Sequence, residues 1–396
     1  MLLTNCAACA APLQHLAKQC GRCKTRYCGP ACQEQHWVAG HKDHCRRIKR
    51  GGGAEAYHAD KKYKEAAALA VSHCAAEAKG RTCYICRDER PDEGLVRMCA
   101  CHTTEGFAHL SCLARGAQVA VERSADGLGF ERWHTCGLCE QKYHGVVKCA
   151  LGWACWMTYL GRPETDQLRS PAMNLLGLGL SAADHHADAL SVKEAELSTL
   201  RRFGAPEESI LIAQANLAIT YEDLGRHEEA LQMRRDIYSG RLKLYGKQHE
   251  ATLLAANNYA SSLIRLERFV EAKSLLLKVM PVAQRVLGES DTLKLTMRWN
   301  YAGVLFKDPG ATLDELREAV TTLEDVGRIA RRVLGGAHPH TTAIEAELRD
   351  ARAALRASAL SSKATEDTCR RLREEIAQLK AENAELRRHR INNNTS

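Results

Sequence analysis

Apolar residues recur three and four positions apart from about residue 146 to 357, and turn-forming Gly interrupts them only at long intervals. That spacing predicts a succession of amphipathic helices. An Ala-rich stretch from about Ala54 to Lys79 predicts a further, connecting helix, set off by the Gly51-Gly52-Gly53 break. Residues 1–50 and 81–145 are organised around Cys and His instead. A charged segment with heptad spacing (358–390) and a polar Asn-Asn-Asn-Thr-Ser tail (391–396) close the chain.

Within the helical region Asn174, Asn216, Asn258 and Asn300 are spaced by 42 each time, and Gly204, Gly246 and Gly288 repeat at the same interval. Gly335 follows Gly288 by 47, which implies a five-residue insertion around Lys307–Thr312. An Ala recurs near the start of each second helix, at Ala189, Ala230, Ala272 and Ala319. Two amphipathic helices per fixed period predict a helical solenoid. The run Asn216-Leu-Ala-Ile-Thr-Tyr leading to Gly225 and Ala230, and its counterpart from Asn258 to Ala272, resemble the tetratricopeptide repeat in the longer variety of kinesin light chains. The resemblance covers roughly 165–357 and implies four repeats, a partial fifth and a capping helix. It also implies a concave groove in which Asn174, Asn216, Asn258 and Asn300 face an extended peptide. Hydrogen bonding within the solenoid is the other role open to that column.

Cys369, Leu372, Ile376, Leu379, Asn383 and Leu386 alternate by three and four residues, which places them at a and d positions of about three heptads. Asn383 falls at an a position, where it can fix the register of a parallel homodimer. A solvated tail helix is the other reading.

Length adds a domain count: 396 residues predict two to four domains, at roughly 100–200 residues each. Aromatic residues at 5% and only 9 Pro argue against an all-β protein. The net charge of +8, from 56 basic and 48 acidic residues, is mild, and nucleic acid is not an expected partner. The basic run Arg46, Arg47, Lys49, Arg50 reads as a solvated helix end. The best membrane candidate, Val146–Leu160, has 15 residues and contains Lys148, whereas a span needs about 20 apolar ones. It reads as a buried helix, with Cys149 and Cys155 as packing residues. No secretory signal opens the sequence, so a cytoplasmic or nuclear protein is expected, and 18 Cys point to metal ligands rather than disulfides.

The first cluster runs Cys6-x-x-Cys9, Cys20-x-x-Cys23, Cys28-x-x-x-Cys32 and His41-x-x-x-Cys45. Eight soft ligands make two closed tetrahedral zinc sites, and metal must supply folding free energy that so short a segment cannot draw from an apolar core. Tyr27-Cys28-x-x-x-Cys32-Gln33, His36-Trp37, His41 and Cys45 resemble the MYND zinc finger over residues 6–45. The resemblance implies interleaved sites: Cys6, Cys9, Cys28 and Cys32 on one zinc, Cys20, Cys23, His41 and Cys45 on the other. His44 is a competitor of His41, and His36 reads as a packing residue beside Trp37. MYND fingers are mainly protein-interaction modules. Some belong to lysine methyltransferases, but this chain shows no Asn-His-x-Cys motif of that kind.

The second cluster runs Cys83-x-x-Cys86, Cys99-x-Cys101, His109-x-x-Cys112 and Cys136-x-x-Cys139. Spacing and ligand order resemble the RING-CH (RING-variant) finger over residues 81–145, with the short Cys-x-Cys-to-His interval separating it from a PHD finger. The resemblance implies cross-brace pairing, with Cys83, Cys86, His109 and Cys112 on one zinc and Cys99, Cys101, Cys136 and Cys139 on the other. His102 and His134 lie beside ligands but off the pattern. The resemblance further implies a ubiquitin ligase, which has no covalent nucleophile and works by positioning a ubiquitin-loaded conjugating enzyme. Ile85 matches the usual aliphatic contact to that enzyme, and Leu138, after Gly137, suits the contact on the last knuckle. Gly116 stands where many members carry Trp, and Glu140 where active members carry a basic residue.

The sequence thus predicts two small zinc-stapled cross-brace fingers, an all-α tetratricopeptide solenoid and a short C-terminal coiled-coil helix, with four Zn2+ per chain. The leading function is a RING-CH-type ubiquitin ligase whose solenoid and MYND finger recruit protein partners. A non-catalytic interaction scaffold is the alternative.

Overall fold

A computed structural model describes residues 5–11, 13, 17–88, 92–99, 101, 106–124, 128–289, 291–336 and 338–393, without the side chains of 384–393. His102, off the metal pattern, and the end of the polar tail lie outside the described residues, as does the side chain of the heptad residue Leu386. The chain divides into two compact units, Met1–Met233 and Arg234–Ser396.

In the first unit a short antiparallel pair, β1 (Lys18–Gln19) and β2 (Arg26–Tyr27), precedes α1 (Pro30–His36), a π-turn (Trp37–His41) and α2 (Lys42–Arg50). The predicted connector is α3, Ala54–Ala78. It does more than connect. Ala54 is buried with Cys23 and Tyr27 of the first finger, Ala59 lies in the central core, and Ala70 and Cys74 are buried against Val96, Leu110 and Tyr143 of the second. Small side chains let one helix serve three cores, because neighbouring backbones can approach it closely. The Ala54 N–H donates to the Cys23 carbonyl at 2.7 Å, which ties the helix start to the first finger.

Among the described residues the second finger holds two isolated bridges, Val96 to Ala108 and Thr135 to Lys142, with α4 (Leu110–Arg123) and a 3-10 turn (Leu128–Trp133) between them. After it comes α5, Gly145–Tyr159. Its sides are almost wholly buried, Cys149 and Cys155 included, as a helix packed on several faces should be. Among the described residues no helix is long and apolar enough to cross a membrane. α5 crosses α6 (Arg169–Ala182) at two glycines. A methyl group on Gly152 would lie 3.0 Å from the Leu175 carbonyl oxygen, and one on Gly179 2.8 Å from that of Lys148.

The repeats begin with α6 and α7 (His186–Arg202), followed by α8 (Glu207–Asp223) and α9 (His227–Tyr245), which runs across the boundary between units. Lys193 of α7 is fully buried and its ammonium donates to Ser181 Oγ, the Asn216 carbonyl and Thr220 Oγ1 at 2.9, 3.2 and 2.6 Å. Burial draws its pKa down to about 8. Gly177 leaves the space that its stem fills, since a methyl there would meet Lys193 Cγ at 2.9 Å.

The second unit continues with α10 (Glu250–Arg265), α11 (Phe269–Val286), α12 (Thr292–Lys307), α13 (Leu313–Leu334) and α14 (Pro339–Asn393). The Ala column expected at second-helix starts is fully buried at Ala189, Ala230, Ala272 and Ala319. A further one lies on the first helices at Ala218, Ala260 and Ala302. The expected insertion is shared between two places. Five residues, 308–312, join α12 to α13, and α13 runs to 22 residues against 18 in α11. Gly204 and Gly246 take positive φ (64° and 77°) to turn the chain between repeats, whereas Gly288 does not.

Candidate zinc centres

The sixteen expected ligands fall into four tetrads in which all ligand atoms lie within 4.8 Å of one another. The tetrads are Cys6, Cys9, Cys28, Cys32; Cys20, Cys23, His41, Cys45; Cys83, Cys86, His109, Cys112; and Cys99, Cys101, Cys136, Cys139. Within each finger the two sites interleave along the sequence. Tetrahedral zinc with Zn–S bonds of about 2.3 Å puts sulfurs about 3.8 Å apart. The sulfurs of Cys9 and Cys28 are 3.6 Å apart, those of Cys20 and Cys45 3.8 Å, and those of Cys101 and Cys136 3.7 Å. The donor set and its spacing therefore fit Zn2+, and the chain is a zinc-binding protein with four such centres among the described residues. All four are closed by protein ligands, which is the structural rather than the catalytic arrangement.

The two histidines present different nitrogens. His41 Nε2 lies 3.3 Å from Cys23 Sγ, while His109 Nδ1 lies 3.4 Å from Cys86 Sγ and 3.8 Å from Cys112 Sγ. Gly40, at φ 117°, breaks the helical path and turns His41 inward. His44 stays outside the tetrads. His36 has a definite place: its ring stacks on His41 with centroids 4.8 Å apart, and its Nδ1 is hydrogen-bonded to the buried Tyr27 hydroxyl at 3.0 Å. Such contacts around a ligand fix the orientation of its ring.

The four Cys-x-x-Cys pairs share one backbone device. The residue after each second Cys sits at positive φ: Ala10 at 58°, Lys24 at 63°, Arg87 at 60° and Glu140 at 56°. Its N–H donates to the carbonyl of the first Cys, at 2.9, 3.0, 2.8 and 3.1 Å in turn. The N–H of the first Cys in turn donates to Ala11, Thr25, Asp88 or Gln141 one residue further on. The loop is thereby curled so that its N–H groups face the sulfur. At Cys6 burial works against ionisation, but the backbone N–H groups of Cys9, Cys28 and Ala8 outweigh it and bring the thiol down to about 6. Other members of the tetrads are held protonated by their surroundings. The Cys28 and Cys9 sulfurs push Cys32 up to about 12, and burial together with neighbouring sulfurs does the same to Cys45 and Cys112. The converging sulfurs of a tetrad cannot all be thiolates unaided, and a divalent cation removes that conflict.

On the second finger Ile85 and Leu138 occupy the tips of two knuckles and are 44% and 48% exposed. The knuckles are neighbours: a methyl on Gly137 would lie 3.4 Å from the Tyr84 hydroxyl. Gly116 lies on the exposed side of α4 with open space before it. His134 joins no tetrad.

The Asn column stands on the first helix of each repeat, but its members differ in partners. Asn300 Nδ2 donates to Asn257 Oδ1 and Ser261 Oγ, each at 2.9 Å, so both its amide hydrogens are engaged within the solenoid. Asn174 Nδ2 donates to Glu196 at 3.4 Å, and burial raises that carboxyl to about 7.

Fold and sites together define a zinc-finger protein with tetratricopeptide repeats. Residues 6–45 match the MYND finger model and residues 209–285 the tetratricopeptide-repeat model. No match was found among proteins of curated function. Among solved structures the chain is similar to a Podosopora anserina protein described as a putative kinesin light chain with nearly identical tetratricopeptide-like repeats. A single-residue variant of that protein aligns at 21% identity and TM-score 0.41, over 50% of this chain and 92% of that one. A second structure of it aligns at 18% and TM-score 0.41, over 57% and 97%. BtubC (BKLC) from P. vanneervenii aligns at 12% and TM-score 0.37, over 62% and 91%.

Proposed function

We propose that the chain is a RING-CH-type ubiquitin ligase: the second finger holds a ubiquitin-conjugating enzyme, and the MYND finger and repeats recruit protein partners. The observation that carries this reading is the pair of half-exposed aliphatic side chains, Ile85 and Leu138, on adjoining knuckles of two interleaved metal sites. Zinc holds the knuckles rigid, so the apolar tips can dock without an ordering cost. The zinc ions would act by fixing shape. The Asn174, Asn216, Asn258 and Asn300 column is the proposed peptide-facing strip of the repeats, with Asn300 contributing through its carbonyl oxygen.

Calorimetric titration of conjugating enzymes into the zinc-loaded chain tests the docking. A binder should be found, and Ile85→Arg should weaken it by at least about 30-fold, the effect of removing one interface hot spot. Unchanged affinity in Ile85→Arg and in Leu138→Arg would remove the proposed contact.

A non-catalytic scaffold is the second reading, favoured by Gly116 and Glu140. Neither position forbids the residue found in active members. Gly116 faces open space, and Glu140 holds its turn through its backbone. On this second reading Gly116→Trp with Glu140→Arg would create transfer absent from the natural chain.

A further inference from the structure

Helix α14 leaves the solenoid and, among the described residues, continues alone. Thr341, Ile344 and Ala351 are buried near its start, but from Ala359 to Asn383 every side chain except that of Asp367 is exposed. The seam residues Leu372, Ile376 and Leu379 are 52%, 52% and 58% exposed. A helix with no tertiary partner draws little stability from its own turns, and an apolar stripe along it asks for cover.

The charges beside the stripe say what covers it. With Cys369, Ile376 and Asn383 at a and Leu372, Leu379 and Leu386 at d, the e positions are Arg373, Lys380 and Arg387. The g positions of the first two of these heptads are Glu375 and Glu382. One flank is thus basic and the other acidic. In a parallel, in-register pair each g residue meets the e residue five positions on in its partner, so Glu375 faces Lys380 and Glu382 faces Arg387, twice each by symmetry. In an antiparallel pair g meets g and e meets e, and every such contact joins like charges. Asn383 at a adds the same preference, because its amide finds an amide partner only when the two copies are in register.

We infer that residues 369–386 form a parallel, in-register two-stranded coiled coil with a second copy of this chain. The seam is short and carries Asn and Cys at two of its a positions, so the dimer is reversible and dissociates on dilution. It gives each assembly two sets of fingers and repeats, and a partner with two binding segments gains avidity without any new contact. None of this depends on ubiquitin transfer.

The test uses the full chain loaded with zinc. Light scattering over a dilution series should show a dimer that dissociates as concentration falls. In the in-register pair the two Cys369 thiols share one layer, so a short bismaleimide should link them, and Cys369→Ser should abolish the linked band. Glu375→Lys with Glu382→Lys should be monomeric, as should Lys380→Glu with Arg387→Glu, and mixing the two should restore a heterodimer. A monomer at all concentrations would overturn the proposal. A dimer that is not linked through Cys369, or that survives either charge swap alone, would overturn the parallel register.

Discussion

Chelating the metal from the intact protein will release four Zn2+ per chain and unfold both fingers, while the helices of Arg234–Ser396 stay folded. Structural zinc contributes about 10–16 kcal/mol of apparent binding free energy per site at neutral pH. That exceeds the whole stability of an ordinary domain, about 5–15 kcal/mol. The first finger has little else: its buried residues are chiefly the ligands themselves, with Tyr27, Ile48 and Ala54. Without metal the same tetrads bring together sulfurs that hold one another protonated, as Cys28 does Cys32. Loss of the fingers also removes the partners of α3, whose Ala54, Ala70 and Cys74 would face water. Circular dichroism during chelator titration, with released zinc measured by a chromogenic indicator, follows both events. Retention of native near-ultraviolet signal after four ions have left would show that the fold does not depend on them.

Gly179→Ala will destabilise the first unit by about 1–3 kcal/mol, the usual cost of overpacking. In an unobstructed helix the same change gains about 1 kcal/mol. The sign reverses because the new methyl would stand 2.8 Å from a backbone oxygen, that of Lys148, which cannot move without shifting α5. Gly152 sits in the same crossing and should behave alike. Gly116→Ala on α4 is the control, since nothing lies within 4 Å of a methyl there. Its expected effect is neutral to stabilising. Denaturant unfolding followed by the fluorescence of Trp153 and Trp156, both on α5, separates the cases. Equal midpoints for Gly179→Ala and Gly116→Ala would mean that the two helices do not cross as closely as described.

Metal ligands and repeats were legible in the sequence because each leaves a spacing. The sixteen ligands group as the resemblances imply, and the period of 42 recurs in the buried column Ala218, Ala260 and Ala302. The knuckle backbone was not legible. Its positive-φ positions carry Ala10, Lys24, Arg87 and Glu140, four residue types with nothing in common and none of them Gly. The common feature is the place after Cys-x-x-Cys, and that is the signal to look for. The role of α3 was hidden for another reason: a run of Ala has too little contrast between faces to show which side is buried. The burial of Lys193 was not legible either, because a lysine in an amphipathic helix ordinarily faces water. Only the folded chain brings Ser181, the Asn216 carbonyl and Thr220 to its ammonium. The Asn column shows how far a repeat can mislead about contacts. The regularly spaced Asn258 is not the residue that bonds Asn300, whose amide reaches its neighbour Asn257.

The most direct test is ubiquitin transfer in vitro, with purified chain, ubiquitin, activating enzyme and a panel of conjugating enzymes. Ubiquitin chains should form with the natural protein and fail to form with Ile85→Arg plus Leu138→Arg, a variant that must still hold four zinc ions. Cys83→Ser plus Cys86→Ser should be equally inactive. Absence of transfer with every conjugating enzyme, from natural protein carrying its four zinc ions, would contradict the ligase assignment and leave a zinc-stapled interaction scaffold.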